Sequence, residues 1–290
     1  MSGKNLLWAA ILLLPFCPSR AGEPAAIYSV SYPEANEMAE SAEVTLTVLY
    51  DNYVHTERCK ADWGFACLIE SAAKTILFDT GTKSDILLQN AEILNRDLAA
   101  VETVVLSHNH GDHTGGLGAV LEAADGARVY FGANWPDDFD GSVEKNGGIA
   151  VRVSDPVEIC PGIWSTGEIS GPVYEQALVL DTRDGLTVVT GCSHPGIIKI
   201  LNRAREVVSG EIDLVFGGFH LMRHSDAEVA EIIDAFRELN VHRCGPTHCT
   251  GDRAISLFRE TFADAFTPIG VGREFKVNLA TPSREAARRR

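Results

Sequence analysis

The feature that most constrains this chain is a group of three histidines and one aspartate within six consecutive positions: His108, His110, Asp112 and His113. Residues 101–106 precede the group and are predicted to form a buried strand. Because alternate residues of an extended segment point the same way, His108 and His110 can hold one metal ion. The chain then turns into a helix, where Asp112 and His113 can hold a second metal ion beside the first. The spacing therefore predicts two divalent metal ions, zinc first, with Mn and Fe as alternatives.

Four ligands cannot complete two metal sites, so other segments must contribute. Three further histidines follow predicted strands and lie beside glycine: His194, His220 and His248. The carboxyl ends of strands are where α/β folds place their sites. We predict His194 and His248 as metal ligands and His220 as a catalytic residue, for which ligation, substrate binding and proton donation stay open. The other histidines lack such a setting and are interpreted as surface or structural: His55, His224 and His242.

Strand-like and helix-like patterns alternate along the chain. The predicted strands are 44–49, 65–69, 75–78, 101–106, 128–131, 150–154, 176–181, 186–190 and 213–216. The predicted helices are 85–94, with Ser84 as N-cap, and 111–124, 195–208, 226–239 and 252–263. Residues 132–141 are rich in turn residues and are predicted to form a long loop. Several strands are nearly continuous apolar runs, which is typical of strands covered on both faces. The prediction is an α/β fold with helices outside.

The composition and charge limit the classes of molecule that the chain can bind. The chain has 290 residues, 45% of them hydrophobic, and a net charge of −15. This is the composition of a globular protein, and its acidity argues against nucleic acid or anionic lipid as a partner. We therefore predict that the partner of the chain is a small-molecule substrate.

The first residues predict export. Lys4 is followed by an apolar run at 6–14 and by small residues before Gly22, which is typical of a signal peptide over residues 1–21. We predict a periplasmic or secreted protein with no stable membrane anchor after cleavage. The predicted mature chain has a lead-in segment (22–42), one domain (43–280) and a disordered basic tail (281–290).

Six cysteines remain after cleavage, and an oxidising compartment would permit disulfides among them. Fifteen pairings are possible, and the sequence does not select one. No CxxC pair occurs, which disfavours a zinc ribbon or a thioredoxin-like motif. Cys67 lies in an apolar run and is interpreted as a small core residue.

These motifs resemble the metallo-β-lactamase fold superfamily. Besides the histidine-rich segment, residues 78–81 (FDTG) are similar to the first motif of that superfamily, whose aspartate supports the metal ligands. The resemblance therefore assigns Asp79 to that supporting position. It also implies an αββα sandwich, in which two mixed sheets pack face to face with helices outside and the metals at one edge.

A more specific resemblance is to the subfamily of dihydropterin–ribofuranosylaminobenzene 5′-phosphate synthase-like (DHPS-like) proteins. It rests on five segments: residues 51–52, 107–117, 190–194, 217–221 and 248–251. The resemblance spans roughly residues 43 to 278, nearly the whole predicted mature chain.

The chain departs from the superfamily pattern at two positions. An earlier loop that often supplies a histidine has Glu168 instead, and Cys192 stands where an aspartate often bridges both metals. His194, Glu168 or Cys192 could fill the gap. We favour His194, because the bend into Pro195 can project its ring towards the metals.

The resemblance and the motifs together predict an exported dinuclear hydrolase. A metal-bound hydroxide would attack an ester, lactone or phosphoester of a small molecule, with Asp112 as ligand and as orienting group. One alternative is a DHPS-like transferase that displaces pyrophosphate. Another is a non-catalytic periplasmic metal- or ligand-binding protein.

Overall fold

The computed structural model describes residues 43–280. The predicted signal peptide, lead-in segment and basic tail lie outside the described residues. The domain boundaries and the export prediction therefore stay predictions. Within residues 43–280, no helix is long and apolar enough to span a membrane.

The first sheet has seven strands and holds most of the amino-terminal half of the described chain. Its strands are β1 (Glu43–Tyr50), β2 (Ala66–Ser71), β3 (Thr75–Phe78), β4 (Thr103–Val105), β5 (Arg128–Gly132), β6 (Ile149–Val153) and β13 (Glu274–Asn278). Their order across the sheet is β13-β1-β2-β3-β4-β5-β6. Strands β3 to β6 pair in parallel, whereas β13, β1, β2 and β3 pair antiparallel.

The second sheet has six strands and is also mixed. Its strands are β7 (Val157–Cys160), β8 (Ile163–Ser165), β9 (Leu178–Thr182), β10 (Gly185–Thr190), β11 (Ile212–Gly218) and β12 (Arg243–Thr247). Their order is β12-β11-β10-β9-β8-β7. The three strands that carry later site residues, β10 to β12, are parallel, so their carboxyl ends lie at the same edge.

Within residues 43–280, seven α-helices connect and cover the strands. They are α1 (Ser84–Ile93), α2 (Gly111–Thr114), α3 (Leu117–Ala123), α4 (Phe139–Lys145), α5 (Ile197–Val207), α6 (Asp226–Glu238) and α7 (Asp252–Phe262). Single 3₁₀ turns occur at Leu98–Ala100, His248–Thr250 and Ala263–Ala265. Helices α1, α3 and α4 pack on the first sheet, and α5 to α7 pack on the second.

Strand β1 shows how the layers are held together. Val44, Leu46 and Val48 point into a core shared with Leu180 and Phe216 of the second sheet. The next two residues of the strand, at positions 49 and 50, face the helices on the other side. Two faces of each sheet are therefore buried, which is why the strands are continuous apolar runs. The predicted αββα sandwich is confirmed.

Three local predictions are wrong. Ser84 is the first residue of α1 rather than its N-cap, which is Lys83, and the Ser84 hydroxyl lies 3.5 Å from the carbonyl of Gly115. The predicted helix 111–124 is divided at Gly115 and Gly116, where a Cβ atom would lie within 2.3 Å of backbone oxygens in the loop after β3. The loop predicted at 132–141 ends at Asp138, the N-cap of α4, and the helix begins at Phe139.

Strands β7, β8 and β13 were not predicted. They are only three to five residues long. Their patterns are short and interrupted by polar residues, so periodicity does not separate them from loops.

Candidate metal centre

The candidate residues meet at one edge of the sandwich, at the carboxyl ends of parallel strands from both sheets. Asp79 directly follows β3, and the histidine-rich segment begins three residues after β4. Cys192, His220 and His248 follow β10, β11 and β12 within two residues. The fold thus brings together segments that are more than 100 residues apart.

Two groups of side chains could each hold a metal ion. The first group contains His108, His110 and His194. The second group contains Asp112, His113, Cys192 and His248. Within each group the potential ligand atoms all lie within 4.8 Å of one another.

The two groups adjoin each other. The ring centroids of His108 and His113 are 4.2 Å apart, and Cys192 Sγ lies 3.3 Å from His113 Nε2. His194 therefore lies with the histidine pair, while Cys192 lies with the aspartate. The two residues occupy different groups and are not competitors for one position.

The side chains of both groups fit divalent metal ions. Nε2 of His194 and Nε2 of His248 are buried and have no hydrogen-bond partner, which is unusual for polar atoms inside a protein. Each of these atoms belongs to a different group. Imidazole, carboxylate and thiolate are the ligands that zinc takes in proteins. One ion in each group would give each of the two unpartnered nitrogens a metal bond.

Hydrogen bonds behind the rings fix which nitrogen faces the centre. The carboxylate of Asp79 accepts from His113 Nδ1 at 2.7 Å and from the Ser107 hydroxyl at 2.7 Å. The Ser107 oxygen lies 2.9 Å from His108 Nδ1, so that nitrogen donates to it. Both rings consequently turn Nε2 towards the centre, which is the nitrogen that would bind a metal ion.

His248 is oriented in the same way from a different loop. Its Nδ1 lies 2.9 Å from Asn52 Oδ1 and donates to it. The Asn52 side chain is itself held by the backbone of Gly64 and by the carbonyl of His248. The sequence did not predict this role, although Asn52 is in a segment that carries the subfamily resemblance.

The first group is neutral at physiological pH. Burial lowers the pKa of His108 well below its usual value and also lowers the pKa of His110. Burial, together with the nearby rings of His220 and His110, lowers the pKa of His194 to about 4. Neutral imidazoles keep their lone pairs available for a metal ion.

The second group carries the acidic residue of the centre. Burial opposes ionisation of Asp112, but His248 and His113 hold its pKa below the usual range. Trp63 Nε1 donates to Asp112 Oδ2 at 2.8 Å, and His248 Nε2 approaches the same oxygen to 3.4 Å without hydrogen-bond geometry. Burial also disfavours the cationic form of His113, yet the Asp79 carboxylate raises its pKa to about 9.

One fully buried carboxylate positions the segment that carries Cys192 and His194. Glu175 accepts hydrogen bonds from three consecutive backbone N–H groups, those of residues 192, 193 and 194, each at 2.8 Å. Burial raises the pKa of Glu175 to about 7, and the N–H groups oppose that shift. Glu175 carries no signal in the sequence, because it lies 17 residues before Cys192 in a loop without a motif.

Backbone strain is concentrated at the centre. Asp79, Ser193, His220 and His248 all have positive φ angles, between +49° and +67°. This conformation is uncommon for residues other than glycine and is typical of functional sites. The surrounding contacts must therefore hold each of these residues in place.

The remaining candidates lie beside the two groups or outside them. The ring of His220 is 4.2 Å from that of His194, but His220 is not in either group. Glu168 binds the backbone and side chain of Asn134, and it is in none of the candidate metal groups of residues 43–280. The three histidines predicted to be surface or structural are exposed: His55, His224 and His242.

The six cysteines of residues 43–280 are all free and buried. Cys67 is fully buried in the core between the sheets, as predicted. No disulfide therefore constrains the described part of the chain.

Elemental analysis of the protein, purified without chelator, is expected to find about two metal ions per molecule. His110→Ala removes one of three ligand side chains of the first group and should lose at least one ion. Asp264→Asn, an exposed change, is the matched control and should keep both. Metal-free wild-type protein would contradict the metal centre.

A pair of substitutions tests the assignment of ligands to groups. Because His194 and Cys192 lie in different groups, His194→Ala and Cys192→Ser should each reduce the metal content by about one ion. Cys244→Ser, a buried cysteine outside the groups, should leave it unchanged. Full metal content in Cys192→Ser would show that Cys192 is not a metal ligand. His194 would then be the residue that replaces the ligand missing from the superfamily pattern.

Comparisons with known proteins agree with this geometry. Residues 64–248 match the model of the metallo-beta-lactamase superfamily. A protein of Methanocaldococcus jannaschii named 7,8-dihydropterin-6-methyl-4-(beta-D-ribofuranosyl)-aminobenzene-5′-phosphate synthase is 30% identical over 262 residues, which cover 73% of this chain and 89% of that protein. The resemblance drawn from the motifs is thereby confirmed.

Solved structures lead to the same family. The structure of Tm1679, described as a metal-dependent hydrolase of the beta-lactamase superfamily, is 30% identical with a TM-score of 0.68, and the match covers 81% of this chain and 99% of that one. The metallo-beta-lactamase fold protein YhfI of Bacillus subtilis is similar in fold, with 16% identity, a TM-score of 0.59 and coverage of 81% and 99%. The chain belongs to the metallo-beta-lactamase superfamily.

Proposed function

We propose that the chain is an exported, dinuclear metal-dependent hydrolase that acts on an ester, lactone or phosphoester of a small molecule. The observation that carries the proposal is the pair of adjoining ligand groups, each with one buried histidine nitrogen that has no hydrogen-bond partner. Two divalent metal ions fit these groups, and zinc is the ion that we favour. The hydrolase name of Tm1679, at 30% identity, supports the reaction class.

When bound, the metal ions would lower the pKa of water and polarise the substrate oxygen. The residues of the chain would orient the attacking water and the ligand rings. Asp112 is ionised, and its Oδ2 is fixed by Trp63 Nε1. Its carboxylate can therefore accept a hydrogen bond from the attacking water and orient it. Asp79 would hold the ring of His113 in place while charge develops.

His220 is the residue that we assign to proton transfer. It lies at the open side of the centre, with its ring 4.2 Å from that of His194. Contact with Cys249 raises its pKa from the ordinary histidine value, although burial opposes the shift. A histidine that holds its proton near neutral pH can donate it to a leaving group.

A cleft beside the first group has room for the rest of a small substrate. It has a volume of about 650 Å³, within the usual range for ligand sites. Pro195, the residue after His194, lines it together with Lys199 and Arg203. The same cleft is lined by Glu168 and Glu206, and Arg203 pairs with Glu206 at 3.0 Å, so the charges of the lining balance and do not select the sign of the substrate charge.

A transferase is the second candidate, because the M. jannaschii relative is named a synthase. A non-catalytic metal- or ligand-binding protein is the third. One assay separates them. Metal-loaded mature protein should hydrolyse members of a panel of esters, lactones and phosphodiesters, and His110→Ala should not. Product formation only when a second organic substrate is present would favour the transferase, and metal binding without turnover would favour the binding protein.

Export has its own test. We expect the form recovered outside the cytoplasm to begin near Gly22, because the apolar run at 6–14 ends shortly before that residue. Amino-terminal sequencing of the protein from each cell fraction measures this. Recovery of chains that begin at Met1 from the cytoplasm alone would refute export.

A further inference from the structure

A third cluster of ligand-type side chains lies beside the metal centre, and one of its members, Cys249, has no role in the proposed hydrolysis. It contains Cys192, His220 and Cys249, whose Sγ and ring nitrogen atoms all lie within 4.8 Å of one another. Both cysteines are buried, whereas His220 is exposed, so the cluster is open to solvent on one side only.

The topology explains why the two thiols meet. Cys192 follows β10 and Cys249 follows β12, and β11 runs between those strands. At the end of β11 stands Gly218, where a Cβ atom would lie 2.7 Å from Cys249 Sγ and 3.2 Å from Cys192 Cα. Any larger residue would push the cysteines apart. With glycine there, Cys249 Sγ comes within 3.4 Å of the Cys192 carbonyl oxygen.

The three strand ends are also fixed relative to one another. The carbonyl of Gly218 accepts from the hydroxyls of Ser193 and Thr190, at 2.7 and 3.1 Å. Phe219 N–H donates to the Thr250 hydroxyl at 2.9 Å. His220 itself has a φ of +57°, a strained conformation for a side chain of its size. The cluster is thus held in place before any ligand arrives.

We propose that Cys192, His220 and Cys249 form a binding site for a thiophilic cation, such as Cd²⁺, Cu⁺ or excess Zn²⁺. Two sulfurs and one imidazole are a soft ligand set that favours such ions over Mg²⁺ or Mn²⁺. Three protein ligands leave one position of a tetrahedral ion open on the solvent side. The cluster shares Cys192 with the second group, so a soft cation bound here would withdraw that thiol, and also His220, from the catalytic centre.

The first equivalent of Cd²⁺ added to metal-free, reduced mature protein tests the proposal directly. Of the three candidate groups in residues 43–280, this one offers two thiols and the others at most one, so the ion should bind here rather than in the two catalytic groups. X-ray absorption at the cadmium edge should then find two sulfur neighbours per ion. One sulfur neighbour would place the ion in the second catalytic group, and none would place it in the first; either result overturns the proposal. This readout is independent of whether the chain is a hydrolase.

Substitutions give a second measurement. Cys249→Ser should leave one sulfur neighbour and weaken Cd²⁺ binding, measured by competition with a chelator, by at least about tenfold. Cys244→Ser is the matched control, since that thiol is buried but lies outside the cluster, and it should change neither quantity. Unchanged affinity and sulfur count in Cys249→Ser would overturn the proposal. If Cys249→Ser does not fold, the wild-type sulfur count still decides.

Discussion

Asp112→Asn is expected to lower kcat by at least about a hundredfold on any substrate that the chain hydrolyses, the usual scale for a positioned acid–base group. Asparagine keeps the size of the side chain and one acceptor oxygen but loses the negative charge. The charge matters twice, because Asp112 is a candidate ligand in the second group and the acceptor that would orient the attacking water. Steady-state kinetics with metal-replete protein measures the effect.

Added metal separates these two roles. Excess metal should restore occupancy of the second group in Asp112→Asn but not the rate. Full recovery of activity would make Asp112 a ligand only, and His220 would then be the first residue to examine for handling the proton. Asp264→Asn, an exposed aspartate, is the matched control and should have wild-type kinetics. Wild-type activity in Asp112→Asn without added metal would refute the dinuclear hydrolase.

Local sequence patterns predict the α/β class and most of the centre, and the family resemblance implies the αββα arrangement of the layers. The spacing of His108, His110, Asp112 and His113 follows from strand and helix geometry, and the structure gathers all four at one sheet edge. His194 and His248 could be predicted because each follows a strand beside glycine. Continuous apolar strands indicated burial on both faces, which the two sheets and their helices account for.

The residues that position the ligands could not be predicted, for a physical reason. Asn52 orients His248 across 196 positions of sequence. Glu175 binds backbone N–H groups, which leave no signature in the residues that donate them. A polar residue in a loop has no period and no motif, so its role depends on contacts that only the folded chain forms. The same holds for His194 and Cys192: the sequence treats them, with Glu168, as alternatives and favours His194, whereas the folded chain places the two in different groups.

Glu175→Gln is expected to lower the free energy of unfolding by about 3 kcal/mol or more, because hydrogen bonds to charged groups contribute about 1.5–3 kcal/mol each. Both carboxylate oxygens of Glu175 accept from backbone N–H groups, at residues 192, 193 and 194. Glutamine has only one acceptor oxygen, so its NH₂ group must face at least one of these donors. A buried donor left without a partner costs about 1–3 kcal/mol. Urea denaturation of metal-free protein at about pH 9, where Glu175 with its pKa of about 7 is ionised, measures the loss.

The same substitution should also reduce the metal content, since the displaced segment carries Cys192 of one group and His194 of the other. The control is Glu206→Gln, which removes an exposed carboxylate from the surface and should change stability by less than about 0.5 kcal/mol. If Glu175→Gln lost stability but kept two metal ions, the carboxylate would stabilise the fold without being required to position the metal ligands. If it lost neither, the three hydrogen bonds would not define the position of the segment. Loss of both would mean that one buried carboxylate, through three backbone N–H groups, sets the geometry of both ligand groups at once.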